Sequence, residues 1–407
     1  MRKVSIGDIG DVVTGKTPRT EIKDNFGNDF LFITPNDLAN GFPIRVTERC
    51  LSNKGLEEVS NNSIDGISVV VDCIGSDLGN VALVDTKCVT NQQINAVTNF
   101  KEQVNPYYVY FWFKNKKAYL QKIAGGTSVP IVNKTLFSNI KIKLPEKTIQ
   151  DEIANKLLSF ENKISLNNQL IDYLEEYAQL LFHKWFVDFN FPDEEGKPYK
   201  DNGGEMYEVD GKKVDGKMIP VGWSRIKLGE IVSLKNGLNY NANREEEPNA
   251  KIISVKHLNN NFILNDYVAD DFYLEEQADD DFLIRRYDTI IARSASPGES
   301  AISLSDLDVY YSGFSIRMRP ISEEYRYYVF FNSIRLKKMI TSNADGTIIK
   351  NITQQSLNNF KSVISDKIVL EQFNKVIEPI LLKIELLQQE NQLLEETRDL
   401  LIKKLIK

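Results

Sequence analysis

Histidine is nearly absent: His183 and His257 are the only two in 407 residues. A histidine-based triad or metal centre therefore has almost nothing to work with. Cysteine is scarce too, and Cys50, Cys73 and Cys88 lack the paired spacing of a zinc site or a disulfide scaffold. They read as reduced packing thiols. No apolar run approaches the roughly 18 residues that span a bilayer, and the opening MRKVSIGDIG has no apolar signal core. Neither secretion nor membrane insertion is expected, which leaves the cytoplasm. An excess of positive charge is missing as well: the net charge is −7, whereas phosphate binding usually leaves a basic footprint. The acidity is uneven, however. Residues 1–147 carry 18 Lys and Arg against 15 Asp and Glu, and residues 148–190 carry 3 against 7.

What the sequence does have is a repeat. Shifted by about 220 residues, SIGDIGDVVTG (5–15) meets KLGEIVSLKNG (227–237), and FITPNDL (32–38) meets ISVKHL (253–258). GGTSVPIVNKTLFSNIKI (125–142) likewise meets DGTIIKNITQQSLNNFKS (345–362). Each copy opens with short β-branched runs such as ISVVVDCI (67–74) and DTIIARS (288–294), separated by turn residues. One aromatic-faced helix is expected in each, over 105–123 and 325–340. These features describe two α+β domains, 1–147 and 223–366.

Each copy closes on a different pattern. Ile153, Leu157, Phe160, Ile164, Asn167, Ile171, Leu174, Ala178, Leu181 and Trp185 follow unbroken 4-3 spacing, the seam of a coiled coil. Phe373, Ile377, Ile380, Ile384, Leu387, Asn391, Leu394, Arg398, Leu401 and Leu405 repeat it. Two spacer helices of about 38 residues, or about 57 Å, are predicted over 148–190 and 367–407. Residues 191–222, rich in glycine and charge, read as a mostly extended linker. An antiparallel register in which paired residue numbers sum to 558 sets Asn167 opposite Asn391. A buried amide pair of that kind fixes register and orientation. Arg398 then faces Phe160, and its guanidinium is expected to reach solvent near the end of the seam. The predicted fold is thus two similar domains joined by an antiparallel coiled coil, with internal pseudo-two-fold symmetry.

Two motifs invite an enzymatic reading and fail on local physics. Gly10-x4-Gly15-Lys16-Thr17 satisfies the phosphate-loop spacing. Pro18 biases Thr17 out of the helix such a loop must start, and Asp11-Val12-Val13 suits a strand better than a phosphate cradle. Asn105-Pro106-Tyr107-Tyr108 resembles the base-holding motif of adenine methyltransferases, but a helix start with proline at its first position explains it more cheaply. His183, on the helix, reads as an interface or surface residue; His257 suits either a fold-stabilising role or a base contact.

The polar loops are more informative as a set. Lys16, Arg19, Thr34, Asn36, Asn91, Gln92, Gln93, Thr127, Ser128, Asn133 and Lys134 in the first copy are types that reach base edges and phosphates. Lys256, His257, Arg293, Ser294, Thr347, Lys350 and Asn351 are their candidates in the second. Singly, each is more often an exposed turn residue. Equal scaffolds carrying unequal loops suit one chain that reads two different short DNA sequences. Two rival readings stay open: a coiled-coil scaffold that does not read DNA, and a nucleotide-binding enzyme using Gly10–Thr17.

Several segments carry a family resemblance: Leu181-Phe182-His183-Lys184-Trp185-Phe186-Val187-Asp188-Phe189, Ile219-Pro220-x-Gly222-Trp223 leading into Lys227-Leu228-Gly229-Glu230, Cys73-Ile74-Gly75, Asn91-Gln92-Gln93-Ile94-Asn95 and Gly125-Gly126-Thr127-Ser128. With the domain-helix repeat, they resemble the specificity subunit of type I restriction-modification systems over essentially the whole length. The start lacks the Pro-x-Gly-Trp lead, and Arg293-Ser294-Ala295 stands where the first copy has Cys-Ile-Gly. The resemblance implies two target-recognition domains reading a bipartite site across an unread spacer in double-stranded DNA. It further implies assembly with two adenine-N6 methyltransferase subunits, and allows for translocating endonuclease subunits. S-adenosylmethionine and ATP would bind those partners, so this chain would hold no cofactor or metal and be no enzyme itself.

Overall fold

A computed structural model describes every residue except 1, 40–41, 126–128, 210–217, 240–245, 260, 275–278, 343–350 and 407. The chain forms two compact units, residues 1–169 with 388–407, and residues 170–387.

In the first unit a four-stranded antiparallel sheet orders Asp11–Thr14, Ile94–Thr98, Ser68–Asp72 and Val81–Val84. The central strand is buried along its whole length, which is why its sequence is a continuous apolar run rather than an alternation. Val69 and Val71 pack under the helix Pro106–Lys114 with Phe111 and Val109. Val70 faces the other way, against Ile33, Cys88 and Ala96. A second sheet pairs Phe30–Ile33 in parallel with Cys88–Thr90, and Arg2–Ser5 pairs with Lys141–Leu144. The segment expected to be one helix over 105–123 is two, Pro106–Lys114 and Lys117–Ile123, with Asn115 capping the first. Burial pushes the Cys73 and Cys88 thiols up to about 12, so both stay protonated and serve as packing groups.

The second unit repeats this plan. Its four-stranded sheet orders Val232–Asn236, Ser315–Pro320, Thr289–Ala292 and Ser300–Ile302. Ala250–Ile253 pairs in parallel with Tyr310–Tyr311, and Ser224–Lys227 pairs with Lys361–Ile364. The aromatic helix here is unbroken, Arg326–Ser342. The described residues of the predicted linker, 191–209 and 218–222, are turn-rich rather than extended. Phe191 stacks on Tyr199 at 4.6 Å and on Trp223 at 5.1 Å between ring centres, and Met206–Tyr207 pairs with Ile219–Pro220. Buried Phe191, with the half-buried Tyr199 and Tyr207, ties the segment to the core, which its charge and glycine content conceal.

The long helices are Lys147–Phe186 and Lys367–Leu405. The second runs through Pro379 in its fourth turn, losing one backbone hydrogen bond there; Ile377 and Leu381 on either side are fully buried and offset the loss. Within the second unit the Trp185 and Phe373 rings lie 5.5 Å apart. Within the first, Ala154 and Leu157 share a core with Ile402 and Ile406, joined by Ile153 and Leu405. Asn167 Nδ2 donates to Asn391 Oδ1 at 2.8 Å, and Asn391 Nδ2 donates to Asn168 Oδ1 at 2.7 Å. The seam is antiparallel in each unit.

One layer departs from expectation. Arg398 does not reach solvent: its side chain is 7% exposed, and its Nη1 lies 3.2 Å from Oε1 of an equally buried Glu161. Lys114 Nζ, at 2.9 Å, and the Tyr110 hydroxyl, at 3.3 Å, donate to the same oxygen. The helix Pro106–Lys114 covers this layer and supplies its polar partners, so the guanidinium is neutralised in place. Burial, reinforced by the Glu161 charge, pushes the Tyr110 hydroxyl well above its usual range, keeping it a donor.

Candidate nucleic-acid interface

In the first unit the loops converge on one edge through backbone hydrogen bonds. Gly15 N–H donates to the Ile94 carbonyl at 3.1 Å, and Lys16 N–H to Thr90 at 2.9 Å. Asn91 N–H donates to Ile33, Cys73 N–H to Gln93 and Val132 N–H to Cys73, each at 2.9 Å. The ends of five chain segments, from 15–17 to 130–134, are thereby stitched together. Gly15 is required there, because a Cβ would lie 2.2 Å from the carbonyl oxygens of Thr90 and Asn91.

The second unit carries the same stitches 220 to 222 residues later. Gly237 donates to Ser315 at 3.2 Å, Leu238 to Tyr311, Ser312 to Ile253 and Arg293 to Phe314 at 2.9 Å each, and Ile352 to Arg293 at 2.8 Å. Even the turn geometry is kept. Gly75 has φ +96° and Ala295, its counterpart, has φ +65°, a conformation that costs an L side chain about 1–2 kcal/mol. The loop Ser312-Gly313-Phe314 therefore stands where Asn91-Gln92-Gln93 stands in the first unit.

The side chains on these edges divide by what they already hold. Arg19 is bound to Glu58 at 3.1 Å and Lys256 to Asp270 at 2.7 Å. Thr34 donates to Asp37, and Asn133 caps the helix Lys134–Asn139. Asn91 is buried; its Oδ1 accepts from Gln93 N–H and its Nδ2 donates to Gln93 Oε1. It positions Gln93 rather than facing solvent. Gln92, exposed, accepts from Thr17 at 2.7 Å. His257 accepts the Ser254 N–H at 3.0 Å, its side chain is 10% exposed, and burial holds its pKa below the usual value. Its ring is thus engaged with the local backbone. His183 is exposed beside Asp188 at 3.0 Å.

Lys16, Lys134 and Arg293 make no ion pair among the described residues, and Lys16, Lys134, Asn36 and Asn351 spend no side-chain hydrogen bond there. Lys16, Asn36, Lys134 and Asn351 are exposed, while Arg293 and Ser294 are half-buried. Thr127, Ser128, Thr347 and Lys350 lie outside the described residues. The Ser312–Phe314 loop was missed by the sequence reading because Phe314 is apolar; the repeat offset alone would have found it. Replacing Lys16 and Lys134 together with alanine should flatten the dependence of log affinity on log salt by about 2. Arg19→Ala should change it by less than half as much, because Glu58 already occupies that charge. Filter binding of the assembled complex across a salt series reads both, and equal slopes for all variants would exclude phosphate contact by the two lysines.

Gly10–Thr17 is strand and turn: Asp11–Thr14 pairs with Ile94–Thr98, and no helix starts at Gly15–Thr17. Asn105 Oδ1 accepts the N–H groups of Tyr107 and Tyr108 as a helix cap. Among the described residues no group of three His, Cys, Asp or Glu side chains could hold a metal, and no helix is long and apolar enough to cross a membrane.

Comparison with known proteins places this geometry. The family model for the type I restriction modification DNA specificity domain matches residues 1–176 and again 220–396. The chain is 28% identical over 412 residues to the type I restriction enzyme MjaIX specificity subunit of Methanocaldococcus jannaschii, covering 98% of this chain and 91% of that one. With the HindI specificity subunit of Haemophilus influenzae it shares 32% over 180 residues, 44% of this chain and 39% of that one. The crystal structure of the type I restriction-modification S subunit from M. genitalium shares the fold, with a TM-score of 0.55 and 16% identity, covering 100% of this chain and 96% of that one. Each matched stretch holds one complete set of the stitched loops, and the chain belongs to the type I restriction-modification DNA specificity family.

Proposed function

We propose that the chain reads a bipartite sequence in double-stranded DNA, one half with each stitched loop edge, and brings two adenine-N6 methyltransferase subunits to that site in the cytoplasm. The observation that carries this reading is one hydrogen-bonded scaffold, present twice, bearing different side chains at matching positions. Shared backbone geometry presents different side chains, such as Gln93 and Phe314, to different bases. S-adenosylmethionine belongs to the methyltransferase subunits, and ATP to a translocating endonuclease subunit in assemblies that include one.

Partner helices have a surface to meet. Leu170, Tyr173, Tyr177 and Leu180 recur at 3-4 spacing off the seam of the first long helix, each at least 40% exposed. Leu386, Leu393 and Leu400, each at least 59% exposed, do so every seventh residue on the second. Exposed rows at helical spacing match the apolar seam of an added helix.

Co-expression with an adenine methyltransferase subunit, followed by methylome sequencing, tests the reading. A methylated motif of two short halves around a fixed unread gap is expected; a scaffold that does not read DNA would leave no such motif.

A further inference from the structure

Phe314 lies where the first unit carries Gln93. In both units the residue preceding the left-handed loop donates its N–H to this carbonyl: Cys73 to Gln93, and Arg293 to Phe314, at 2.9 Å each. Gln93 is half-buried, its Oε1 accepts from Asn91, and its Nε2 is left without a partner among the described residues. Phe314 is 64% exposed. An exposed aromatic alone is ordinary on a protein surface; the place it occupies is what matters.

The loop that presents it is held by backbone hydrogen bonds. Ser315 N–H closes the turn onto the Ser312 carbonyl at 2.9 Å, and Gly313 N–H donates to Leu238 at 2.6 Å. Ser312 is buried and Gly313 carries no side chain, so Phe314 is the member of the turn that reaches outward. Beside it, Arg293 has no ion pair among the described residues, a cation free for a phosphate.

We infer that Phe314 reads the 5-methyl group of a thymine in the second half-site. The inference rests on the proposed reading of DNA by these loop edges. Glutamine is a residue type that pairs with adenine N6 and N7 in the major groove, and the matched scaffold would turn Phe314 toward the groove that Gln93 faces. The one apolar group that a base edge offers there is the thymine methyl. A wedge between base steps is the other known use of phenylalanine on DNA, but it works from the minor groove on kinked duplex.

The test uses the chain assembled with its methyltransferase subunit and its motif already known. Deoxyuridine replaces each thymine of the second half-site in turn, removing only the methyl group. One position should lose roughly four-fold in affinity, the worth of one buried methyl-sized group. In Phe314→Ala that sensitivity should vanish, while Phe314→Leu should keep most of it, and recognition of the first half-site should be unchanged in both. Sensitivity that persists in Phe314→Ala, or no sensitive thymine in the unaltered complex, overturns the inference. So does a rise in 2-aminopurine fluorescence beside the contacted step that depends on Phe314, which would identify a wedge. If the unaltered complex yields no bipartite motif, the underlying DNA reading fails instead.

Discussion

Arg398→Met should destabilise the first unit by about 3 kcal/mol, the lower end of what breaking a buried ion pair costs. Glu161, with its side chain 6% exposed, would keep its charge while losing one of its two cationic partners. Lys114 and the Tyr110 hydroxyl would remain on Oε1, which is why the upper end is not expected. The double replacement Glu161→Leu with Arg398→Met should recover most of the loss, because an apolar pair of similar volume often substitutes without penalty. Lys114, 27% exposed at its side chain, can extend its stem and place its ammonium in water. Urea unfolding of the three proteins measures this. A single-variant loss below 1 kcal/mol would mean that Lys114 and Tyr110 alone hold Glu161.

Replacing residues 1–147 with the matching segment of the MjaIX specificity subunit should exchange one half of the methylated motif entirely and leave the other intact. Every stitch of the first loop edge lies within residues 15–132, and every stitch of the second within 237–352, so neither edge borrows backbone from the other. The junction has one demand. Gln150 and Asp151, just beyond it, hold Asn105 by its N–H at 2.9 Å and its side chain at 2.6 Å, and Glu161 needs Lys114. A graft lacking an asparagine and a lysine at those places should fold poorly, and restoring them should rescue it. Methylome sequencing decides the matter, and a graft that changed both halves would contradict separable reading.

Much of this was legible in the residues. The 4-3 spacing marks the long helices because a seam must repeat its apolar positions, and the non-equivalence of Asn167 and Asn391 in the repeat singles out one register. The Arg398 layer was not legible as drawn. Its acid, Glu161, sits one residue from the seam position Phe160, and Tyr110 and Lys114 come from a helix about fifty residues earlier. The loop candidates were chosen by polar type, which says nothing of local partners: the Oδ1 atoms of Asn91 and Asn133 accept from the nearby N–H groups of Gln93 and Leu136, as short polar side chains often do. The same criterion passed over Phe314.

The first unit is assembled from two stretches of chain that are far apart, 1–169 and 388–407, whereas the second is one continuous stretch. Residues 115 and 406 meet through the Asn115 side chain and the Ile406 carbonyl at 3.0 Å. During synthesis, therefore, the second unit has all of its residues before the first does. The first must wait, with Ala154, Leu157 and the Glu161 carboxylate uncovered, until residues 388–407 emerge, and an uncovered apolar face invites misassembly. Residues 388–407 are the stretch on which completion of the first unit depends.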